Sequence, residues 1–250
     1  MSTATPKDCR DDCKFEGAVY EESRIFAHSL GKDIQTKFLH VGWDEQFHNK
    51  DGKTVRSASY TPELLASGQC DLYPNNLTEN AWRLKKIDIV MLYPSRMMVV
   101  VHKSHKKDYR SLKNLQGKRA TVQENTSFHT WIDQQNRGLY AEDPIKLLFQ
   151  PSNMGLKQIT DQKVDFTIFD ADAALWTTRY EHPELIAAFP VGERDKIGWG
   201  FRKTDKELQK AVHQFFQKQR QQPNSEVNQV WTRYYGMSLT RFIGIVSVIR

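Results

Sequence analysis

At 250 residues, with 39% hydrophobic and 26% charged side chains, the chain can bury a sizeable core as one large domain or two small lobes. Lys and Arg number 36 against 30 Asp and Glu, a net charge of +6, but the basic residues are scattered among acids. The one dense cluster, residues 102–107, has no interleaved aromatics, so a nucleic-acid partner is not expected.

Residues 1–14 are polar and rich in turn formers, which predicts a loop, and they lack the apolar core of a signal peptide. Val19, Ile25, Phe26 and Leu30 have helical spacing from Ala18 onward, and Gly31 is a stop signal. Residues 36–41 alternate and predict a strand. Thr61-Pro62-Glu63 predicts a helix start, with Thr61 as the cap and Pro62 at the first helical position. Strands are expected at 70–73, 87–93 and 97–102, the last apolar enough to be buried on both faces. The charge-rich step from Lys103 to Leu115 predicts a lobe boundary.

Beyond it, a strand at 119–123 runs into Asn125-Thr126-Ser127 and a helix over 128–136. Either Thr126 or Ser127 would cap that helix and leave its first N–H groups aimed forward. Strand 145–150, helix 153–160, a strand ending on Asp170, helix 171–180 and strands 185–191 and 198–201 follow. The alternation argues for an α/β protein. Two amphipathic helices, 204–216 and 224–235, precede a β-rich apolar tail at 242–250, which predicts a strand. No apolar run reaches the ~20 residues of a membrane helix.

Cys9 and Cys13 either pair in an oxidising space or remain thiols, and Cys70 stands alone. No histidine or second cysteine pair completes a zinc pattern in the sequence, so no metal and no cofactor are expected. Catalysis is not expected either. There is no Gly-rich phosphate loop, no His-Glu-x-x-His and no Cys-x-x-Cys, and His129 is the one histidine placed to reach a ligand.

Two stretches carry the chemistry. Residues 71–83 open as a strand, pass a polar turn and deliver Arg83, whereas residues 163–170 form an apolar strand ending on Asp170. A guanidinium opposed to a carboxylate suits a zwitterion. Asp71, Leu77-Thr78, Arg83 and Tyr93-Pro94 together resemble the pattern of bacterial periplasmic solute-binding proteins of the polar amino-acid class. Further similarities follow in order: Phe15-x-Gly17, Leu115-x-Gly-Lys-Arg-Ala-Thr-Val122, Thr126-Ser127, Val164–Asp170, residues 198–216 and Trp231–Gly236. The helix after Glu21 and the strand 197–202 are also similar to the solute-binding half of membrane-bound lytic transglycosylases.

The resemblance implies a two-lobed, type II periplasmic-binding-protein-like fold with two hinge crossings. Lobe 1 would be residues 1–101 with 194–250, and lobe 2 residues 102–193. It implies a periplasmic monomer that closes on an amino acid or similar zwitterion and presents it to a membrane permease. The alternatives are a sensing module of a membrane-bound receptor or enzyme, and a dehydratase-like enzyme on the same fold. Arg83 would hold the ligand's carboxylate, with Asn76 and Thr78 beside it and Thr126 and Ser127 from the second lobe. Asp170 would take the ammonium, with Asp172 its rival, and Trp43 and Tyr93 would flank the ligand's side chain.

The family opens with a strand that residues 1–14 do not signal. The expectation is a circular permutation, in which the tail strand fills that place; the alternative is a trimmed chain with an unrelated tail. The turn Pro74-Asn75-Asn76 also departs from the small residues usual in the family.

Overall fold

A computed structural model of the chain describes residues 2–6 and 8–248. The chain forms two compact units, one of residues 1–94 and 196–250 and the other of residues 95–195. Two long strands, β4 (Asp88–His102) and β8 (Leu185–Phe201), run from one unit into the other. Each was expected as two shorter strands. Pro94 and the charged stretch 193–196 do not break them, because an extended backbone tolerates a fixed φ and a polar face.

In the first unit, β1 (Ser2–Thr5) pairs antiparallel with β2 (Lys14–Gly17), where the sequence reading expects a loop. Helix α1 (Ala18–Leu30) follows. Residues 36–41 form no strand: Leu39 and Val41 turn onto a hydrophobic cluster and explain the alternation without any ladder. The short α2 (Glu63–Ala66) begins after Pro62, which takes the cap position assigned to Thr61. Strand β3 (Leu72–Thr78) lies antiparallel to β8, and β8 lies next to β4. Between β3 and β4, the single turn of α3 (Ala81–Leu84) is capped by Asn80, whose Oδ1 accepts from the Arg83 N–H at 3.1 Å.

The second unit continues β4 beside β7 (Phe166–Asp170), then β5 (Arg119–Val122) and β6 (Lys146–Phe149). Strand β7 is antiparallel to β4 and parallel to β5, and β5 is parallel to β6. Helices α4 (Ser127–Arg137), α5 (Ser152–Thr160) and α6 (Ala171–Trp176) connect them, α6 running on into a π turn at Thr177–Glu181. Met97, Val99, Val101, Ala120, Val122, Ile132, Phe166 and Ile168 share one core cluster, and Val100, Leu156, Ile159 and Ala174 share another, so this sheet is buried on both faces.

The chain returns to the first unit through α7 (Lys206–Gln221), α8 (Glu226–Tyr235) and α9 (Leu239–Val248). Helix α8 is pinned to α1: the buried Glu22 accepts from Trp231 Nε1 at 2.6 Å, and Glu21 accepts from Tyr234 Oη at 2.6 Å and pairs with Arg233 at 2.8 Å. The tail is therefore a helix, with Leu239, Phe242 and Val246 buried at helical spacing and the Phe242 ring 5.0 Å from that of Trp231. It supplies no strand, and the expectation of a circular permutation fails on that ground. Residues 249–250 of the expected tail strand lie outside the described residues.

Candidate functional site

Arg83 is 1% exposed and stands at the centre of a cluster in the first unit. Its Nη1 donates to the Thr78 carbonyl at 2.8 Å, across the turn that Asn80 caps. Its guanidinium carbon lies 5.4 Å from the Trp43 ring, 5.3 Å from Phe47 and 5.4 Å from Trp82. Three ring faces attract a cation electrostatically, while the apolar wall lowers the local dielectric and strengthens any hydrogen bond the guanidinium makes to an anion.

The β3 register changes next to this cluster. Tyr73 pairs with Gly200 and Leu77 with Gly198, so Pro74, Asn75 and Asn76 together face the single residue Trp199. This is a bulge, and Asn76 adopts the left-handed conformation within it (φ 50°), which asparagine tolerates better than most residues. Asn75 Nδ2 donates to Gln46 Oε1 at 2.9 Å, and Gln46 Nε2 donates to the Trp43 carbonyl at 2.7 Å, which ties the bulge to the loop carrying Trp43 and Phe47. Asn76 Oδ1, Trp43 Nε1 and Trp82 Nε1 are buried with no hydrogen-bond partner among the described residues. The two indole N–H groups belong to rings that face Arg83, and the Asn76 acceptor lies in the bulge of β3.

Lys86 supports the cluster from below. It is 1% exposed, and its ammonium donates to the Val55 carbonyl at 2.9 Å, to Ala58 at 2.8 Å and to Arg56 at 3.4 Å. It also lies 4.5 Å from the Tyr60 ring. Burial holds its pKa below the ordinary lysine value, with the charges of Lys85 and Arg56 acting in the same direction.

In the second unit, Thr126 caps α4: its hydroxyl accepts from the His129 N–H at 3.2 Å and donates to the Gln123 carbonyl at 2.7 Å. The hydroxyl proton expected for a ligand is therefore committed to the backbone, and the helix N-terminus with Ser127 at its first position is what faces forward. Asn125, also left-handed (φ 61°), makes the turn into that helix. His129 pairs with Asp133 at 3.2 Å and stacks edge-on against Phe149 at 4.8 Å. Asp170 ends β7, and the following Ala171 N–H donates to Ser95 Oγ at 3.2 Å. Because β5 and β7 are parallel neighbours, Thr126, Ser127 and Asp170 all follow the carboxyl ends of adjacent strands, where open α/β sheets bind their ligands. Asp172 is buried within α6.

The structure thus gathers Trp43, Thr78 and Arg83 in one cluster, sets Asn76 in the neighbouring bulge of β3, and places Thr126, Ser127 and Asp170 at one end of a sheet. It takes Tyr93 elsewhere: its ring is buried edge-on against Trp231 at 4.9 Å and Phe242 at 5.8 Å, a core position rather than a ligand-facing one. Phe47 and Trp82 were missed by the sequence reading. Trp82 was signalled by its place beside Arg83 in a turn capped by Asn80; Phe47 had no local signal, because the long loop before α2 brings it in.

The architecture is that of a type II periplasmic binding protein: two α/β units joined through two strand crossings. No protein-family model matches the chain. It is 26% identical over 225 residues to the membrane-bound lytic murein transglycosylase F of Desulfosudis oleivorans, covering 88% of this chain and 44% of that protein, so the chain spans under half of that relative. It is 24% identical over 208 residues to the L-cystine-binding protein TcyJ of Escherichia coli K12, covering 81% and 68%. Among solved structures, an amino acid ABC transporter substrate-binding protein of Streptococcus pneumoniae bound to L-arginine superposes with a TM-score of 0.72 at 19% identity, covering 94% of this chain and 88% of that one.

Proposed function

We propose that the chain binds a small polar amino acid outside the cytoplasm for ABC-type uptake. The observation that carries this reading is the Arg83 cluster, a buried guanidinium that faces three aromatic rings and donates to the Thr78 carbonyl. Such a group holds a carboxylate through charge-assisted, geometrically specific hydrogen bonds. We assign the ligand's carboxylate to Arg83, with Asn76, Thr78 and the α4 N-terminus at Thr126 and Ser127 as further contacts. Asp170 takes the ammonium, and Trp43 takes the side chain. Binding is the activity we assign to these residues, and the Arg83 guanidinium is the group that carries it. The Cys9–Cys13 disulfide suits an oxidising, extracytoplasmic compartment. Among the described residues no helix is long and apolar enough to cross a membrane.

The match to transglycosylase F supports a second reading, in which the chain is the ligand-sensing part of a membrane-bound enzyme. Co-purification with a permease supports the first reading, and co-purification with a murein-cleaving enzyme supports the second. Binding itself is tested by thermal shift against the twenty amino acids and cystine, followed by calorimetry. Arg83→Lys should weaken the responding ligand about 10- to 100-fold, because a point charge cannot reproduce a fork of two donors. An affinity within twofold of the native protein would remove Arg83 from the site.

A further inference from the structure

The positive charge of the chain is concentrated in one connection of the second unit. Residues 103–118 carry six Lys and Arg against one Asp, which is +5 of the net +6 of all 250 residues. The six cations, Lys103, Lys106, Lys107, Arg110, Lys113 and Lys118, are all exposed. None of them makes an ion pair among the described residues, whereas Arg119 at the start of β5 and Lys163 ahead of β7 pair with Asp165 at 3.3 Å and Asp161 at 3.2 Å. The one acid, Asp108, lies 3.2 Å from His105 Nδ1.

The fold holds this segment at one end of the sheet. Strand β4 ends at His102 and β5 begins at Arg119; β7 runs antiparallel to β4 and parallel to β5, so the connection lies at the end opposite Asp170. Tyr109 and Leu115 are buried in the core cluster, and Tyr140 Oη donates to the Leu112 carbonyl at 2.8 Å. Ser111 and Asn114 close the turn Leu112–Leu115 as a capping box. Two of the three apolar side chains are thus turned inward and the cations outward. The third, Leu112, is 37% exposed between Arg110 and Lys113.

We propose that this face adsorbs the protein to a membrane surface carrying anionic headgroups. A cluster of this size is the composition that anionic lipid attracts, each charge near the surface raising partitioning about fivefold. Lysine is depleted in protein–protein interfaces, which rely on aromatic and arginine anchors. Here five of the six cations are lysine, and Tyr109, the only Phe, Tyr or Trp of the segment, is buried. With no exposed ring to stack on bases, the segment also lacks the second component of a single-stranded nucleic-acid site. A lysine ammonium demands no fixed geometry, so a fluid layer of phosphates satisfies it, and Leu112 enters that layer beside its charged neighbours. Attraction of this kind, without a second anchor, is reversible and weakens with salt. It would hold the second unit near the lipid with Thr126, Ser127 and Asp170 at the far end of the sheet.

The test is flotation of the full chain with vesicles of phosphatidylcholine alone and of phosphatidylcholine with about 30% phosphatidylglycerol. The native protein should float with the anionic vesicles only, and raising the salt from about 0.05 to about 0.5 M should cut binding at least tenfold. Lys106→Gln, Lys107→Gln and Lys113→Gln combined should weaken adsorption at least tenfold with unchanged circular dichroism, since all three side chains are exposed. The control, Lys32→Gln, Lys203→Gln and Lys218→Gln combined, removes the same charge from exposed positions elsewhere and should stay within twofold of the native protein. Equal flotation with both vesicle types, or a loss in the control equal to that in the patch variant, would overturn the proposal. Capture by heparin or by an acidic protein without flotation would assign the patch to a soluble partner and overturn it as well.

Discussion

Arg83 and Lys86 share one aromatic ring. The guanidinium of the first lies 5.4 Å from the Trp82 ring and the ammonium of the second 5.5 Å, while Arg56 sits 5.1 Å from the same ring. Three cations around one indole would repel one another in a bare protein. Here the ring faces and three carbonyls offset that repulsion. Trp82→Ala should therefore cost about 2–3 kcal/mol, somewhat below a fully buried tryptophan because this one is partly exposed. Urea denaturation gives the loss directly, and a change under 1 kcal/mol would mean that the ring is peripheral.

Lys86→Met keeps the length of the side chain and removes its charge. The Val55 and Ala58 carbonyls then lose a short hydrogen bond each, and the loop carrying Tyr60 loses its anchor. Removing a donor from these part-buried acceptors should destabilise by about 1 kcal/mol and raise hydrogen exchange across residues 53–60. If exchange in that loop does not change, Lys86 is not what holds it.

At high pH, Tyr109 should act as a stabilising group that is lost. Burial, helped by the nearby carboxylates of Asp165 and Asp108, pushes its phenol up from 10.0 to about 12. A raised folded-state pKa means that the unfolded chain gives up its proton first. The stabilisation is complete below pH 10 and disappears as pH climbs through about 12. Tyr109→Phe should flatten that part of the stability curve by up to about 2–3 kcal/mol. An alkaline denaturation profile identical to the native one would contradict the assignment.

Asp165 behaves oppositely. Burial favours its neutral form, but hydrogen bonds from the Arg119 side chain and backbone N–H, with the guanidinium charge, outweigh that and hold its pKa below 3.8. The carboxylate accepts from the Arg119 N–H at 2.7 Å, joining the start of β5 to the start of β7. Its contribution is present above pH 3.8 and is lost as pH falls through the depressed value. Asp165→Asn should cost about 1 kcal/mol at neutral pH and nothing further in acid, as read from urea midpoints between pH 2 and 7.

At Gly198, β8 lies close against β4. A Cβ there would stand 2.1 Å from the Val90 carbonyl oxygen and 2.8 Å from Ile89 Cγ2. The Val90 backbone cannot yield without disturbing the ladder, so Gly198→Ala should destabilise by about 3 kcal/mol. Gly244, whose added Cβ would meet nothing, is the control: Gly244→Ala should be neutral or slightly stabilising. Equal melting temperatures for the two variants would refute the close-approach argument.

Much of this was legible in the chain. The alternation of strand and helix, a cap at Thr126 or Ser127 and the carboxylate ending β7 are local patterns, and local patterns survive folding. What could not be read depended on distant partners. The tail is rich in β-branched residues, yet burial of Phe242 against Trp231 and Tyr93 makes it a helix. Residues 36–41 alternate, yet no strand lies beside them. Around Arg83, the guanidinium and Trp43 could be anticipated, but the Phe47 wall depends on a loop whose course only tertiary contacts decide.

The bulge at Pro74–Asn76 makes β3 a strand with an exchangeable middle. Leu72–Tyr73 and Leu77–Thr78 are locked to β8 on either side, so the ladder does not register what lies between them. A change in the number or kind of residues there would alter the wall beside Arg83 while leaving the guanidinium, its Asn80 cap and the flanking strand in place. On the proposed assignment of the ligand's carboxylate to Arg83, selectivity would drift by small insertions and deletions at one spot, a faster route than replacing core side chains one at a time. Among homologous chains, length variation at this turn should accompany changes of ligand more closely than substitution anywhere else in β3.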